Sequence, residues 1–136
     1  MIEEIKPVAI FKTPAGERII DMGQNMVGWV KFKVRGEKGN KVILKFGEIL
    51  TKEGNFYDGN LRTARQTDEF ILNGGGEEYF EPHFTYHGFR YIKLIEFPNE
   101  PFLHDFTGCV IHSRMEETSS FICSNPYINK FHKNVL

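Results

Sequence analysis

Thiol chemistry is scarce in this 136-residue chain: Cys109 and Cys123 are its two cysteines. They show neither CxxC spacing nor a histidine at metal-ligand spacing, so a zinc site is not expected. Two reduced, half-buried thiols is the simpler reading; a single disulfide stays open. An excess of one charge is missing too. Seventeen basic residues face eighteen acidic ones, for a net charge of −1, which leaves no electrostatic footprint for nucleic acid or an anionic membrane. No apolar run approaches the roughly 20 residues that span a bilayer. The stretch Met1–Pro7 has no basic segment and no apolar core, so it does not read as a signal peptide; periplasmic, extracellular and cytoplasmic settings all stay open. There is no GxGxxG, P-loop, GxSxG or HExxH motif. No cofactor is expected.

What the chain does have is phenylalanine, 13 of them, within an ordinary globular composition of 40% hydrophobic and 26% charged residues. Aromatic and β-branched side chains suit a pleated, half-buried surface. Val30, Phe32 and Val34 alternate with Lys31, Lys33 and Arg35, the period-2 pattern of a strand with one wet face. After a hairpin loop at Gly36–Asn40 the pattern returns with Val42, Leu44 and Phe46 inward. Short strands are expected at Val8–Phe11, Arg18–Asp21, Thr67–Leu72, Glu78–Glu81, Phe106–His112 and Ser120–Ile122. Phe84–Ile95 reads as a central strand bulged at Gly88. The Asp21–Trp29 stretch holds the single tryptophan. In it, Gly23 and Gly28 read as turn or bulge positions, Gln24 and Asn25 as groups that tie down backbone, and Trp29 as packing at a boundary.

Two segments break the strand pattern. Thr51–Arg65 is polar and turn-rich, and a loop of that length inside a compact domain often carries function. At the other end, Ser124 or Asn125 can cap a helix opened by Pro126, with Ile128, Phe131 and Val135 on one face. That helix runs to Leu136 without a stop signal, as expected of a piece of a longer protein. About nine strands and one short C-terminal helix imply an all-β, antiparallel β-sandwich, with residues 1–122 as the sandwich and 123–136 as the start of a linker helix.

Candidate catalytic groups do not assemble on this pattern. His83 and His87 lie about 13 Å apart along a strand, too far for one metal. His112 and Ser113 point to opposite faces of a strand, and Cys109 with His104 or His112 has no pattern behind it. A glycosidase needs two carboxylates about 5–10 Å apart; nothing in the spacing of Glu48, Asp58, Asp68 and Glu69 sets two of them across a sugar. No catalytic residue is assigned. A sugar-binding site is easier to build, from a ring that stacks on a pyranose and fixed polar groups for its hydroxyls. Tyr57, Asp58, Asn60, Arg62 and Arg65 put that mixture on one loop. The competing reading is a loop held by its own hydrogen bonds or docked on a neighbouring domain.

Taken together, these residues resemble a known family. Asp21–Trp29 looks like the DxGQNxxGW signature of the β-sandwich module of bacterial α-L-rhamnosidases, the inverting enzymes of glycoside hydrolase family 78. Gly47–Leu50 is similar to its AEVL-type segment, Asn60–Ala64 to NLRSA, and Thr67–Leu72 with Gly74–Gly76 to TDxYxLxGGG. Phe84–Tyr91 matches FTYHGFRY nearly letter for letter. Cys123–Pro126 resembles the CSNP start of the helix that leads into the catalytic barrel. The similarity is collinear over residues 17–136.

The resemblance implies a jelly-roll or concanavalin-like sandwich that is an accessory, structural domain of a carbohydrate-metabolising hydrolase. The family's acid and base glutamates belong to an (α/α)6 barrel that follows this module, so the acids named above inherit no catalytic role. The family's calcium-dependent, rhamnose-binding module is a different domain, so no metal site carries over. Implied partners are the barrel and other domains of the parent chain. An independent module binding rhamnose-containing glycans through the 57–65 loop is the alternative.

Overall fold

A computed structural model describes residues 3–116 and 118–135. Eight strands are formed: β1 (Glu3–Ile5), β2 (Ala9–Lys12), β3 (Arg18–Gly36), β4 (Lys41–Gly47), β5 (Thr67–Ile71), β6 (Gly76–Phe80), β7 (His87–Glu96) and β8 (Phe106–Val110). The helix α1 spans Pro126–Val135. Every strand pairing is antiparallel. The all-β antiparallel sandwich expected from the alternating pattern is the observed class.

The organising element is β3. The two segments expected at Arg18–Asp21 and Trp29–Arg35 are one strand of 19 residues. Its first part pairs with β2 and β7, its last part with β8 and β6. It thus belongs to both layers, one built from β2, β3, β7, β4 and β5, the other from β1, β8, β3 and β6. Buried Met22, Met26, Val30, Phe32 and Val34 run down its inner face. Across the core Phe32 meets Phe70 of β5 edge-on at 5.2 Å, and Phe70 meets Phe80 of β6 at 4.8 Å. Phe32 is buried and contributes roughly 2–3 kcal/mol from the apolar area it removes from water, while Phe70 and Phe80, partly buried, contribute less.

Two glycines explain how the long strand survives its bend. Between Asp21 and Met26 the register against β7 shifts. Gly23 sits there at φ +82°, a conformation side chains with a Cβ rarely adopt, and its N–H donates to Asp21 Oδ1 at 2.7 Å. Gly28 lies where β8 crosses closely: a Cβ there would be 1.9 Å from the Cys109 carbonyl oxygen. Both act as turn or close-approach positions, as the sequence implies. Asn25 does not tie down backbone, however; its side-chain amide donates to Glu48 Oε1 at 3.2 Å.

Three expectations are corrected. Residues 36–40 form a tight turn, with Asn40 N–H donating to Glu37 O and Glu37 N–H to Asn40 Oδ1, but no hairpin. β4 leaves β3 and pairs with β7 and β5, carrying the chain between layers. Gly88 is not a bulge, since it pairs in step with Val27. The register shift lies on β3, where Asp21 to Met26 spans five positions opposite the two from Tyr91 to Phe89. Residues 120–122 are exposed and form no strand, whereas Glu3–Ile5 pairs with β8. Both cysteines are free thiols, in line with the simpler reading, with Cys109 buried and Cys123 half-buried.

In α1, Asn125 Oδ1 accepts the Tyr127 N–H at 2.9 Å, a side-chain cap. The Asn129 amide brackets Cys123, taking its N–H and donating to its carbonyl, both at 2.8 Å. No residue of the helix is buried, and Tyr127, Ile128, Phe131 and Val135 are exposed. Among the described residues no helix is long and apolar enough to cross a membrane.

Candidate functional site

The loop of residues 51–66 lies on the outer face of β4 and β7, and a buried-edge carboxylate pins it there. Glu17, at the start of β3, accepts from Lys93 Nζ at 2.6 Å, from the Phe56 N–H at 3.0 Å and from Thr13 Oγ1 at 3.1 Å. Burial alone would raise the Glu17 carboxyl, but the hydrogen bonds from Lys93 and Phe56 outweigh it and hold it below the usual range. The Phe56 ring fills the space above Gly47, and the Lys93 ammonium lies 5.7 Å from its centroid. Asn55 Oδ1 accepts the Ala15 N–H, joining the loop to the β2–β3 turn.

The five residues predicted as sugar contacts divide on this scaffold. Asp58 pairs with Lys45, whose hydrogen bond lowers its pKa. Asn60 donates to Glu48 Oε2 at 3.2 Å, so Glu48 bridges Asn25 and Asn60. The Tyr57 phenol folds over Gly59. Arg62 and Arg65 are exposed, and their side chains make no ion pair or hydrogen bond among the described residues. Arg62 has φ +53°, ψ −108°, a strained backbone for a residue with a Cβ.

The four acids considered for glycosidic chemistry each have a non-acid partner. Glu48 takes the two asparagine amides, Asp58 takes Lys45, and Glu69 pairs with Lys41 at 2.7 Å. Asp68 pairs with His87 Nε2 at 2.8 Å, and that imidazole is stacked on Phe46 with centroids 4.3 Å apart. Arg90 grips Asp21 through two bonds of 2.8 and 2.9 Å, and this contact keeps the Asp21 carboxyl well ionised. Among the described residues no three His, Cys, Asp or Glu side chains gather as a metal site.

Sequence reasoning found the loop by its lost periodicity but missed Glu17 and Lys93, which reach it from 39 and 37 positions away on either side of Phe56. It also missed a concavity on the opposite layer. A depression of about 620 Å³ crosses the outer face of β3 at Lys31 and Lys33, between Tyr79 and Glu81 on one wall and His104 and Asp105 on the other. A second, of about 280 Å³, shares Lys33, His104 and Asp105 and extends to Phe102. The sequence signal was present: Lys33 and Tyr79 are wet-face residues that become cross-strand neighbours once β3 and β6 pair.

Known proteins resemble this chain over nearly its whole length. Residues 11–112 match the family described as the bacterial alpha-L-rhamnosidase concanavalin-like domain. An alpha-L-rhamnosidase of Streptomyces avermitilis is 40% identical over 133 residues, which is 98% of this chain and 13% of that protein. The solved alpha-L-rhamnosidase from Dictyoglumus thermophilum superimposes with a TM-score of 0.90 at 41% identity, covering 98% of this chain and 15% of that one. The native enzyme from Aspergillus terreus gives 0.91 at 39% identity, covering 98% and 16%. The chain spans 13–15% of the length of the curated relatives it matches. With three quarters of its length inside the matched region and its sandwich superimposable on theirs, the chain belongs to the bacterial alpha-L-rhamnosidase concanavalin-like domain family.

Proposed function

We propose that this chain is a non-catalytic, structural domain of an α-L-rhamnosidase. The parent would hydrolyse terminal α-L-rhamnosyl linkages with inversion, through acid and base glutamates outside these 136 residues. The observation that carries the reading is the coverage: nearly the whole chain aligns with rhamnosidases, yet it accounts for 13–15% of them. The partners of the candidate acids agree with it, since Glu48, Asp58, Asp68 and Glu69 are each held by an amide, an imidazole or an ammonium group rather than set against a second carboxylate.

In this reading residues 1–122 are the sandwich and residues 123–136 begin the link to the catalytic barrel. The exposed stripe of Tyr127, Ile128, Phe131 and Val135 supports that role, being the apolar face such a helix would lay on its neighbour. The test is turnover. The purified chain should release no chromophore from an aryl α-L-rhamnoside. Turnover that survives repurification would overturn the reading, and so would saturable L-rhamnose binding that is lost in Tyr57→Ala or Arg62→Ala.

A further inference from the structure

We infer that the trough across the outer face of β3 is a binding site for a neutral oligosaccharide. It stands apart from the scaffold reading, because it concerns the layer opposite the 51–66 loop and makes no claim about turnover. The first depression has the volume of an ordinary small-molecule site, about 300–1,000 Å³, and the second continues it past Lys33, His104 and Asp105. The shape is therefore elongated, suited to a short chain of sugars rather than to one compact ligand.

The chemistry of the walls selects the ligand class. Tyr79 is 74% exposed, yet its ring is not free to swing, because its hydroxyl donates to Glu77 Oε1 at 2.7 Å. A ring fixed at the lip of a groove is a stacking platform for the apolar face of a pyranose. At the other end Phe102, also exposed, stacks on His104 with centroids 5.5 Å apart and planes 17° apart, giving a second flat surface.

Between these surfaces the floor alternates donors and acceptors already oriented by neighbours. Lys33 Nζ lies 3.6 Å from Asp105 Oδ1 and 3.8 Å from Glu77 Oε2. Asp105 Oδ2 accepts the Phe102 N–H at 2.9 Å. Glu81 Oε1 accepts the Trp29 indole N–H at 2.9 Å. Hydroxyl groups both donate and accept, so they match such a floor without adding charge.

Net charge argues against the other occupants. Lys31, Lys33 and Arg35 are offset by Glu4, Glu77, Glu81 and Asp105, so the field gives neither an anionic nor a cationic ligand a large gain. A protein segment is disfavoured because the centre of a protein interface is depleted in charge, and this floor is charged along its length. Tyr79, Phe102 and their supports are held by contacts within the domain, which lowers the ordering cost of binding.

The experiment is a titration of the 136-residue chain, ¹⁵N-labelled, with an α-linked L-rhamnose trisaccharide and separately with cellotriose, up to roughly tens of millimolar. At least one trisaccharide should shift the amides of residues 31–33, 79–81 and 104–105 along a saturable curve. Tyr79→Ala should weaken that binding at least about fivefold, the value of one stacking ring. Tyr79→Phe keeps the ring and should stay within about threefold, and Tyr57→Ala should change nothing. Because Tyr79 is exposed, an unchanged amide spectrum elsewhere will show that its variants fold. The inference is overturned if neither sugar produces saturable shifts, if the shifts centre on residues 57–65, or if Tyr79→Ala binds as the parent chain does.

Discussion

Removing the Glu17 carboxylate should loosen one loop before it loosens the sandwich. Glu17→Ala deletes the acceptor of a 2.6 Å ammonium contact, of the Phe56 N–H and of the Thr13 hydroxyl. The Glu17 and Lys93 side chains are 19% and 29% exposed, so water replaces the lost partners only in part. A charge-assisted bond contributes about 1.5–3 kcal/mol and a neutral one about 1 kcal/mol. The expected loss is about 3 kcal/mol, a fall in Tm of roughly 10 °C for a chain of this size. Glu17→Gln keeps an acceptor for Phe56 and should cost about half as much.

The pH dependence follows from the direction of the shift. Its folded-state pKa is depressed, so its contribution is complete above the unfolded value of about 4.3 and fades as pH falls through the folded one. Urea unfolding of the parent chain and Glu17→Gln at neutral pH and near pH 3 should therefore show a gap that narrows in acid. Hydrogen exchange gives the local readout: the Phe56 amide should exchange faster in Glu17→Ala by more than the global destabilisation accounts for. A Glu17→Ala variant within about 0.5 kcal/mol of the parent, or a Phe56 amide protected as before, would refute the reasoning.

Two further outcomes are expected. Gly28→Ala should destabilise by about 3 kcal/mol or more in the same urea assay, since its Cβ would overlap the Cys109 carbonyl, whereas Gly75→Ala, with nothing within 4 Å, should be near neutral. In native conditions a disulfide reagent should titrate one thiol, Cys123. Cys109 is fully buried and burial raises its pKa, so it should react only after denaturant is added.

Much of the fold was legible because it rests on local pattern. The runs Val30–Phe32–Val34 and Val42–Leu44–Phe46 alternate, and all six side chains are buried. What escaped is set by partners distant in sequence. No periodicity joins Arg18–Asp21 to Trp29–Arg35, because the bend carries Gly23, Gln24 and Asn25, all exposed. β1 has three residues and no apolar alternation, so only its pairing with β8 makes it a strand. Ile122 looked like a strand residue, yet it pairs with no strand and stays 88% exposed. The loop was visible, but its anchor is not: nothing in the sequence around Phe56 points to Glu17. Likewise Lys33 and Tyr79 read as separate wet-face residues until register sets them side by side.

The dual membership of β3 has a consequence during synthesis. Phe32 is made roughly seventy residues before Phe106, its partner on β8. At about 5–20 residues per second, the strand emerges from the ribosome several seconds ahead of the segment that covers it. β2, β6 and β7 are made earlier and can claim parts of β3, but the edge at residues 28–32 stays unpaired until β8 is made. The lysines and arginine that alternate along its far half are then more than a wet surface. Charges of one sign there would disfavour edge-to-edge pairing of two incomplete chains until the last strand arrives.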